Sequence, residues 1–368
     1  MVRFISQGSR SSNKLKRDYT LVPIKVFFAD LTHCGSITNA DTFPLGIGCI
    51  AAYAKKLLGD EIDVELFKFP QDLNERTKQI NPTMLCLTNY SWNHNLSMAF
   101  ARYYKKASPD TVVIMGGPNI SVTPEGRRLF LKTHNYIDFY CKFEGEEAFV
   151  ELFLSLKNYD FNAKGVQDNA PQIGNMMYLS GKHFIEGPNV RMKDYGSNPS
   201  PYTTGLFDKF FDQNLRPLVE FTRGCPYACT FCTDSHEHRS KVHCRSIHFV
   251  ESELKYIAAH MKTASDLVLA DLNFGMFKQD VDVSKILRRV IDEYDWPNSI
   301  SCSPGKSQPE RVLECINIIN QGGRGIIKFA SSVQSTDTKV LGAIKRKNLP
   351  SEKISSLIEY SNKSNNNT

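Results

Sequence analysis

The chain has 368 residues, of which 41% are hydrophobic and 23% charged, and its formal net charge is +6. This composition indicates a globular protein with room for two domains and excludes a disordered or fibrous chain. No apolar run has the length that crosses a bilayer, and no basic–aromatic pattern favours nucleic acid. Residues 1–20 are predicted to form a disordered basic tail; no apolar run follows them, so they do not resemble a signal peptide.

Seven of the ten cysteines stand singly, several between apolar neighbours, as Cys49 and Cys86 do. Free cysteine behaves as a small hydrophobic residue in protein cores. Reduced thiols and a cytoplasmic location are therefore expected rather than a disulfide framework.

Residues 21–157 alternate between strand and helix signals, which predicts a parallel sheet with helices on both faces, a Rossmann-like (flavodoxin-like) α/β domain. The predicted strands are 24–29, 62–67, 83–88, 111–115 and 136–141, and the predicted helices are 44–58, 99–106 and 146–156.

Loops with glycine and polar residues follow several of these strands. Glycine lets a backbone approach a ligand closely, and ligands of such sheets bind beyond the carboxyl ends of the strands. The candidate binding residues there are Leu45, Gly46, Ser91, Gly116, Gly117, Pro118, Glu144 and Gly145.

Residues 158–216 are predicted to form a linker with a small hairpin near 174–185. Pro199 and Pro201 disfavour regular structure at its end.

Strand and helix signals alternate again over residues 217–368, which predicts four β/α units of a parallel barrel. The predicted strands are 218–222, 267–270, 299–303 and 325–331. Active sites of such barrels lie at the carboxyl ends of the strands. Polar residues stand at these ends: Asp271, Asn273, Lys306, Gln334 and Ser335.

Cys225, Cys229 and Cys232 follow the first barrel strand with the spacing C-x3-C-x2-C. Iron–sulfur clusters normally take four cysteine ligands, so a compact set of three favours a cluster with one iron open to a small molecule. A zinc site is the alternative, because histidines and cysteines are crowded nearby. Its ligands would come from Cys232, His236, His238, His243 and Cys244. His236 and His238 are otherwise either proton donors or surface histidines.

The stretch Arg-Gly-Cys-Pro-Tyr-Ala-Cys-Thr-Phe-Cys, residues 223–232, resembles the signature of the radical S-adenosylmethionine (SAM) enzymes. The loops at 44–46, 115–119 and 144–147 resemble the cobalamin-binding domain of B12-dependent radical SAM proteins. The resemblance implies a [4Fe–4S] cluster on the three cysteines, together with SAM and cobalamin. It implies that the glycine-loop residues named above contact cobalamin. It implies that SAM and the cluster are contacted by Tyr227, Phe231, Asp271, Asn273, Lys306, Gln334 and Ser335.

Two features depart from the family pattern. The D-x-H-x-x-G motif that supplies a cobalt ligand is missing, so His33 is not expected to bind cobalt. Four barrel units are fewer than the six usual in the family, so residues 217–368 are expected to form a truncated radical SAM core.

In the resembled family, one electron from the cluster cleaves SAM, and the resulting 5′-deoxyadenosyl radical takes a hydrogen atom from an unactivated carbon. The resemblance therefore implies a cobalamin-dependent methyltransferase that acts on a small molecule or biosynthetic intermediate. Its electron donor would be of the flavodoxin or ferredoxin type. The alternatives are a ring-forming or other radical enzyme, and a degenerate, non-catalytic binding module.

Overall fold

The computed structural model describes residues 22–34, 40–235, 239–305, 307–328 and 333–348, with Ser355 and Glu359. The predicted basic tail, residues 1–20, lies outside the described residues, as do His236, His238 and Lys306. Within the described ranges, no helix is both long enough and apolar enough to cross a membrane.

A seven-stranded sheet forms the first unit, in the order β2-β1-β3-β4-β5-β6-β7. Its first five strands are parallel and its last two antiparallel. The strand order 2-1-3-4-5 is that of a flavodoxin-like sheet, so the predicted Rossmann-like fold is confirmed. The strands are β1 (Ile24–Ala29), β2 (Ile62–Phe67), β3 (Met84–Thr88), β4 (Val112–Gly116), β5 (Phe139–Cys141), β6 (Met176–Ser180) and β7 (His183–Glu186).

Six helices connect or follow these strands: α1 (Leu45–Leu58), α2 (Pro70–Gln79), α3 (His94–Ala107), α4 (Pro124–Thr133), α5 (Glu146–Lys157) and α6 (Ala163–Asn169). Helices α2, α4 and α6 were not predicted from the sequence, because each buries a single side chain, Leu73, Leu131 or Val166. With so little apolar periodicity, the remaining signals were a proline in the first helical turn of α2 and α4 and the Asn162 cap of α6.

The predicted hairpin within residues 158–216 exists as β6 and β7, and it extends the first sheet. Met177 on β6 pairs with Tyr140 on β5, and the pairing is antiparallel. The hairpin therefore belongs to the sheet edge, while the proposed domain boundaries stay predictions.

The second unit contains three parallel strands in the order β12-β11-β8 and a separate two-stranded ribbon, β9 with β10. Its elements are β8 (Leu218–Val219), β9 (Thr222–Arg223), β10 (His243–Cys244), α7 (Ile247–His260), β11 (Asp266–Leu269), α8 (Lys278–Tyr294), β12 (Ser299–Ser301), α9 (Pro309–Ile319) and α10 (Thr338–Ala343). This arrangement is a partial β/α barrel, as predicted.

Two predicted strands of the second unit differ in the structure. The strand expected at 218–222 is split into β8 and β9, and at the break the Asp271 carboxylate accepts the Phe221 N–H at 2.8 Å. The strand expected at 325–331 is represented by Ile327, which forms an isolated parallel bridge with Ile300. Residues 329–331 lie outside the described ranges.

One hydrophobic cluster runs through both units. At their junction, the Phe43 ring stacks on Tyr202 with 5.5 Å between centroids. Phe207 and Phe211 pack edge-on against the same ring. All four rings are at most 3% exposed. Tyr202, Phe207 and Phe211 lie between the two units, and Phe211 also contacts Tyr256 of α7 with 6.2 Å between ring centroids. Burial of aromatic surface thus helps to hold the two units together.

Glu253 on α7 is a buried carboxyl in the second unit, 3% exposed. The Ser200 hydroxyl donates a hydrogen bond to it. Burial raises the pKa of Glu253 to about 7, and this hydrogen bond and the Arg245 charge offset the effect only partly. The folded protein therefore holds a neutral carboxyl over a pH range in which an unfolded chain ionises it.

Replacing Glu253 with glutamine tests this burial. Between about pH 4.5 and 7 the unfolded state loses a proton that the folded state keeps, so the free energy of unfolding should fall as pH rises. The fall attributable to Glu253 should be about 3 kcal/mol, at about 1.4 kcal/mol per pKa unit. Urea unfolding at several pH values should show a flatter profile for Glu253→Gln. The exposed Glu314→Gln on α9 is the control, and equal slopes for Glu253→Gln and wild type would contradict the prediction.

Candidate functional site

The start of α1 and the loop after β3 meet at the carboxyl edge of the first sheet. Gly46 is exposed on the first turn of α1. If it carried a Cβ atom, the nearest described atom would be the Tyr90 hydroxyl oxygen at 3.6 Å. The Tyr90 ring stacks on Trp92 with 4.5 Å between centroids, and Ser91 between them is exposed. Leu45 is buried, so Gly46 and Ser91 are the members of this group that a ligand can reach directly.

Gly117 lies in the loop after β4 and has a φ of +126°. A Cβ atom there would lie 2.7 Å from the Asn89 carbonyl oxygen. The Tyr140 hydroxyl donates to the Gly117 carbonyl at 2.8 Å and accepts from the Asn89 side chain at 3.0 Å. Gly117 is therefore required where two loops of the protein touch, and a larger residue would disturb that contact first. Gly116 is half-buried and Pro118 exposed beside it.

A buried polar group lies beneath this edge. Asp30 forms an ion pair with Lys68 at 2.8 Å and accepts a hydrogen bond from Thr88 at 2.7 Å. Asn93 donates to Thr88 at 2.8 Å. His33, in contrast, is exposed. Asp30, the aspartate that follows β1, therefore forms contacts within the protein and does not begin a cobalt-ligand motif.

Glu144 and Gly145 precede α5. The Glu144 carboxylate accepts the Met192 N–H at 2.6 Å and lies 3.5 Å from the Arg191 side chain. Burial raises the pKa of Glu144, and the Met192 hydrogen bond and the Arg223 charge oppose that rise. A Cβ atom on Gly145 would lie 2.5 Å from Ile50. Both residues are therefore engaged with the protein itself.

The cysteine loop follows β9. Gly224 opens it with a φ of +110°, and a Cβ atom there would lie 2.6 Å from the Lys241 carbonyl oxygen. Cys225 and Cys229 are 8% and 4% exposed, whereas Cys232 is exposed. The Cys232 N–H donates to the Cys229 carbonyl at 3.1 Å. The loop is thus folded back on itself with two of its thiols inside.

Asn273, predicted to contact SAM, lies against the first cysteine. Its side-chain amide donates a hydrogen bond to the Cys225 sulfur at 3.3 Å, and it is 3% exposed. Hydrogen bonds to cysteine sulfur are one means by which proteins tune iron–sulfur clusters. The Asp271 carboxylate accepts the Phe221 N–H, and burial raises the pKa of Asp271 to about 8.

The other described residues that were predicted to contact SAM or the cluster are Tyr227, Phe231, Gln334 and Ser335, and they differ in exposure. The Tyr227 hydroxyl lies 2.6 Å from the Ser307 hydroxyl, which joins the cysteine loop to the segment after β12. Phe231 is 50% exposed. Gln334 is exposed and Ser335 half-buried.

The remaining seven cysteines are free thiols like the other three. Burial raises the pKa values of Cys49, Cys141 and Cys302 to about 12 and that of Cys315 to about 11. Neutral thiols of this kind fill core space and are poor metal ligands.

The described residues contain no group of three or more His, Cys, Asp or Glu side chains placed to hold a metal ion. The three sulfurs of the cysteine loop are therefore not drawn together in this structure. Their donor chemistry, three thiols on one short loop with a buried amide on the first, still fits an iron–sulfur cluster. For the zinc alternative, His243 and Cys244 lie in the β9–β10 ribbon, paired with Arg223 and Thr222.

The sequence analysis missed a charged cluster that connects the two candidate sites. Arg223 forms an ion pair with Glu146 at 2.8 Å and with Glu220 at 2.7 Å. Glu146 is the first residue of α5, and Arg223 stands two residues before Cys225. The loop before α5 and the cysteine loop therefore meet at one buried contact. The signal available in the sequence was the arginine of the cysteine motif and the acidic run Glu144-Gly-Glu-Glu147.

Comparison with known proteins agrees with this architecture. A family model described as a B12-binding domain matches residues 37–153. The chain is 29% identical, over 73% of its length, to the cobalamin-dependent radical SAM methyltransferase TokK of Streptomyces tokunonensis. It is 28% identical, over 88% of its length, to 2-(S-pantetheinyl)-carbapenam-3-carboxylate methyltransferase of Streptantibioticus cattleyicolor. The matches cover 39% and 46% of those proteins, so the chain spans less than half of their length.

Solved structures give the same fold. OxsB, a cobalamin-dependent SAM radical enzyme solved with aqua-cobalamin and SAM, aligns with 88% of this chain and 46% of its own, with a TM-score of 0.62 and 16% identity. TsrM of Kitasatospora setae, solved with cobalamin and a [4Fe–4S] cluster, aligns with 90% of this chain and 65% of its own, with a TM-score of 0.60 and 12% identity. Residues 37–153 therefore match the B12-binding domain family, and the chain is similar to cobalamin-dependent radical SAM proteins.

Alanine substitutions test the cysteine loop. Replacing Cys225, Cys229 or Cys232 should abolish the brown chromophore after anaerobic reconstitution, because a site with three protein ligands does not hold a cluster on two. Iron and sulfide assays give the measurement. Cys302→Ala, which removes a neutral core thiol, should keep wild-type iron content. Full iron in any of the three loop variants would exclude that cysteine as a ligand.

Proposed function

We propose that this chain is the cobalamin-binding and cluster-binding part of a radical SAM methyltransferase. The observation that carries the proposal is the contact between the cysteine loop and the edge of the B12-binding domain, 2.8 Å between Arg223 and Glu146. A methyl group passed between a corrin and a substrate activated by a SAM-derived radical requires the two sites to open on one space. The kinship with TokK and OxsB supports the same assignment.

Charges of the second unit also act on the edge of the first sheet. Burial raises the pKa of Tyr90, and the nearby carboxylates of Asp30 and Glu220 add to that rise while Arg239 opposes it. Glu220 and Arg239 flank the cysteine loop in the second unit. The loop after β3 is therefore within electrostatic reach of the cysteine loop, as a shared cavity requires.

Each part has an assigned role in the proposal. Cys225, Cys229 and Cys232 hold a [4Fe–4S] cluster, and the Asn273 amide stabilises charge on the first sulfur. Gly46 and Ser91 give the corrin access to the sheet edge. The bound cofactors together supply methyl transfer and a carbon-centred radical. The substrate is a small molecule, and a flavodoxin- or ferredoxin-type protein delivers the electron. Ten free thiols suit a reducing, cytoplasmic compartment.

Gly46→Val tests the corrin site. Gly46 is exposed and a Cβ atom meets no described atom closer than 3.6 Å, so the branched side chain should be accepted by the fold yet block a flat ligand. Binding of hydroxocobalamin, followed by its visible spectrum, should weaken about tenfold or more, equivalent to at least about 1.4 kcal/mol. Gly342→Val is the matched control, since a Cβ atom there has no described atom within 4 Å. Gly117→Val is a poor probe, because it would displace the Asn89 loop. Unchanged corrin affinity in Gly46→Val would contradict the assigned edge.

The products separate the candidate reactions. Reconstituted, reduced protein with SAM should release 5′-deoxyadenosine slowly. With cobalamin and a competent substrate it should also yield S-adenosylhomocysteine, because a methyl group has left SAM. Mass spectrometry reads both. Deoxyadenosine without S-adenosylhomocysteine would indicate a ring-forming or other radical enzyme, and neither product a non-catalytic binding module.

A further inference from the structure

We propose that Arg223 is a positioning residue that fixes the cysteine loop relative to the loop opening α5, and thereby the distance between cluster and cobalamin. The inference rests on the proposed function. Arg223 touches neither predicted ligand; it acts through the two loops that it joins. Its guanidinium uses different nitrogens for two acceptors, Nη1 for Glu146 and Nε for Glu220.

The ion pair is shielded from water. The side chains of Arg223 and Glu146 are 13% and 4% exposed. Burial by itself would raise the pKa of Glu146, but the Arg223 charge overrides it and the pKa is lowered. A buried pair with good geometry holds its partners far more firmly than a surface pair does, because neither charge has water as an alternative.

An aromatic ring restricts the arginine further. The Arg223 guanidinium lies 4.3 Å from the centroid of the Tyr195 ring, and the Arg245 guanidinium lies 3.8 Å from the same centroid. The Tyr195 hydroxyl lies within 3.1 Å of the Glu220 carboxylate. A planar guanidinium suits simultaneous stacking and two-sided hydrogen bonding, whereas an ammonium does not. Arg223 is thus confined to one orientation.

A second arginine ties the backbone of the cysteine loop to the same place. Arg191 donates to the Arg223 carbonyl at 3.1 Å and lies 3.5 Å from Glu144. Glu144 and Glu146 flank Gly145 at the start of α5. The side chain of Arg223 therefore contacts Glu146 directly, and its main chain is linked to Glu144 through Arg191. Both links lead to one short loop of the B12-binding domain.

The Arg223–Glu146 contact positions the cysteine loop relative to the start of α5. The packing of the two units against each other does not depend on this contact. The ring cluster around Phe43 packs the units together elsewhere. A second ion pair, Arg216 with Asp41 at 2.7 Å, also joins segments of the two units, and its side chains are 34% and 40% exposed. Loss of Arg223 geometry should therefore leave a folded protein with both cofactor loops present.

The experiment compares Arg223→Lys with Arg216→Lys in the full chain loaded with cluster and cobalamin. Each substitution keeps the positive charge and removes a planar, two-sided donor. Iron and corrin content should stay at wild-type levels in both. Pulsed EPR of reduced protein should show one narrow cobalt–cluster distance in wild type and Arg216→Lys, and a broadened or shifted one in Arg223→Lys. The yield of S-adenosylhomocysteine relative to 5′-deoxyadenosine should fall about 100-fold in Arg223→Lys, as for a misplacement of about 1 Å.

A wild-type distance distribution and product ratio in Arg223→Lys would overturn the inference. Glu146→Gln provides a second variant, which removes the negative charge that pairs with Arg223 and leaves Glu220 on the arginine, so a misfolded Arg223→Lys does not end the test. Wild-type protein that binds no corrin or cluster would instead overturn the proposed function. Failure of the inference is thus seen in the Arg223→Lys variant, whereas failure of the proposed function is seen in the wild-type protein.

Discussion

The relative position of the two candidate sites depends on a buried ion pair, Arg223 with Glu146, which brings a loop of the B12-binding domain against the loop of the three cysteines. Taking two charges out of water costs several kcal/mol for each ion, and their attraction repays this only when geometry and further hydrogen bonds are good. Here Glu220 and the Tyr195 ring complete the surroundings of the arginine. The arrangement is better explained by the register it imposes than by the stability it contributes.

The hydrophobic core and the charged contact around Arg223 contribute differently to how the two units are arranged. Burial of the rings around Phe43 and Tyr202 contributes through the hydrophobic effect, which is non-directional. Charged hydrogen bonds are directional, so they determine how the two carboxyl edges are aligned within the limits that the core allows. Chemistry between two cofactors needs that alignment, since transfer over a misplaced gap loses much of its rate.

Glycines near the site serve two different purposes. Gly117 and Gly224 have positive φ values and lie against backbone carbonyls of the protein, so they permit loop contacts. Gly46 has open space at the sheet edge and permits a ligand contact. A glycine therefore indicates a ligand contact only when a Cβ atom at that position would point into open space and not into the protein.

The sequence alone determined the α/β class, the Rossmann-like sheet, the partial barrel and the three-cysteine loop, because these follow from local periodicity and fixed spacing. Polar helices such as α2 and α4 were missed, since one buried residue each leaves no periodic signal. Only the tertiary structure decided that Asn273 donates to Cys225, that Asp271 holds the backbone, and that Arg223 meets Glu146. These partners are 48, 50 and 77 residues apart, and no local rule links positions at such separations. Their contacts arise from how strands, helices and loops pack in three dimensions.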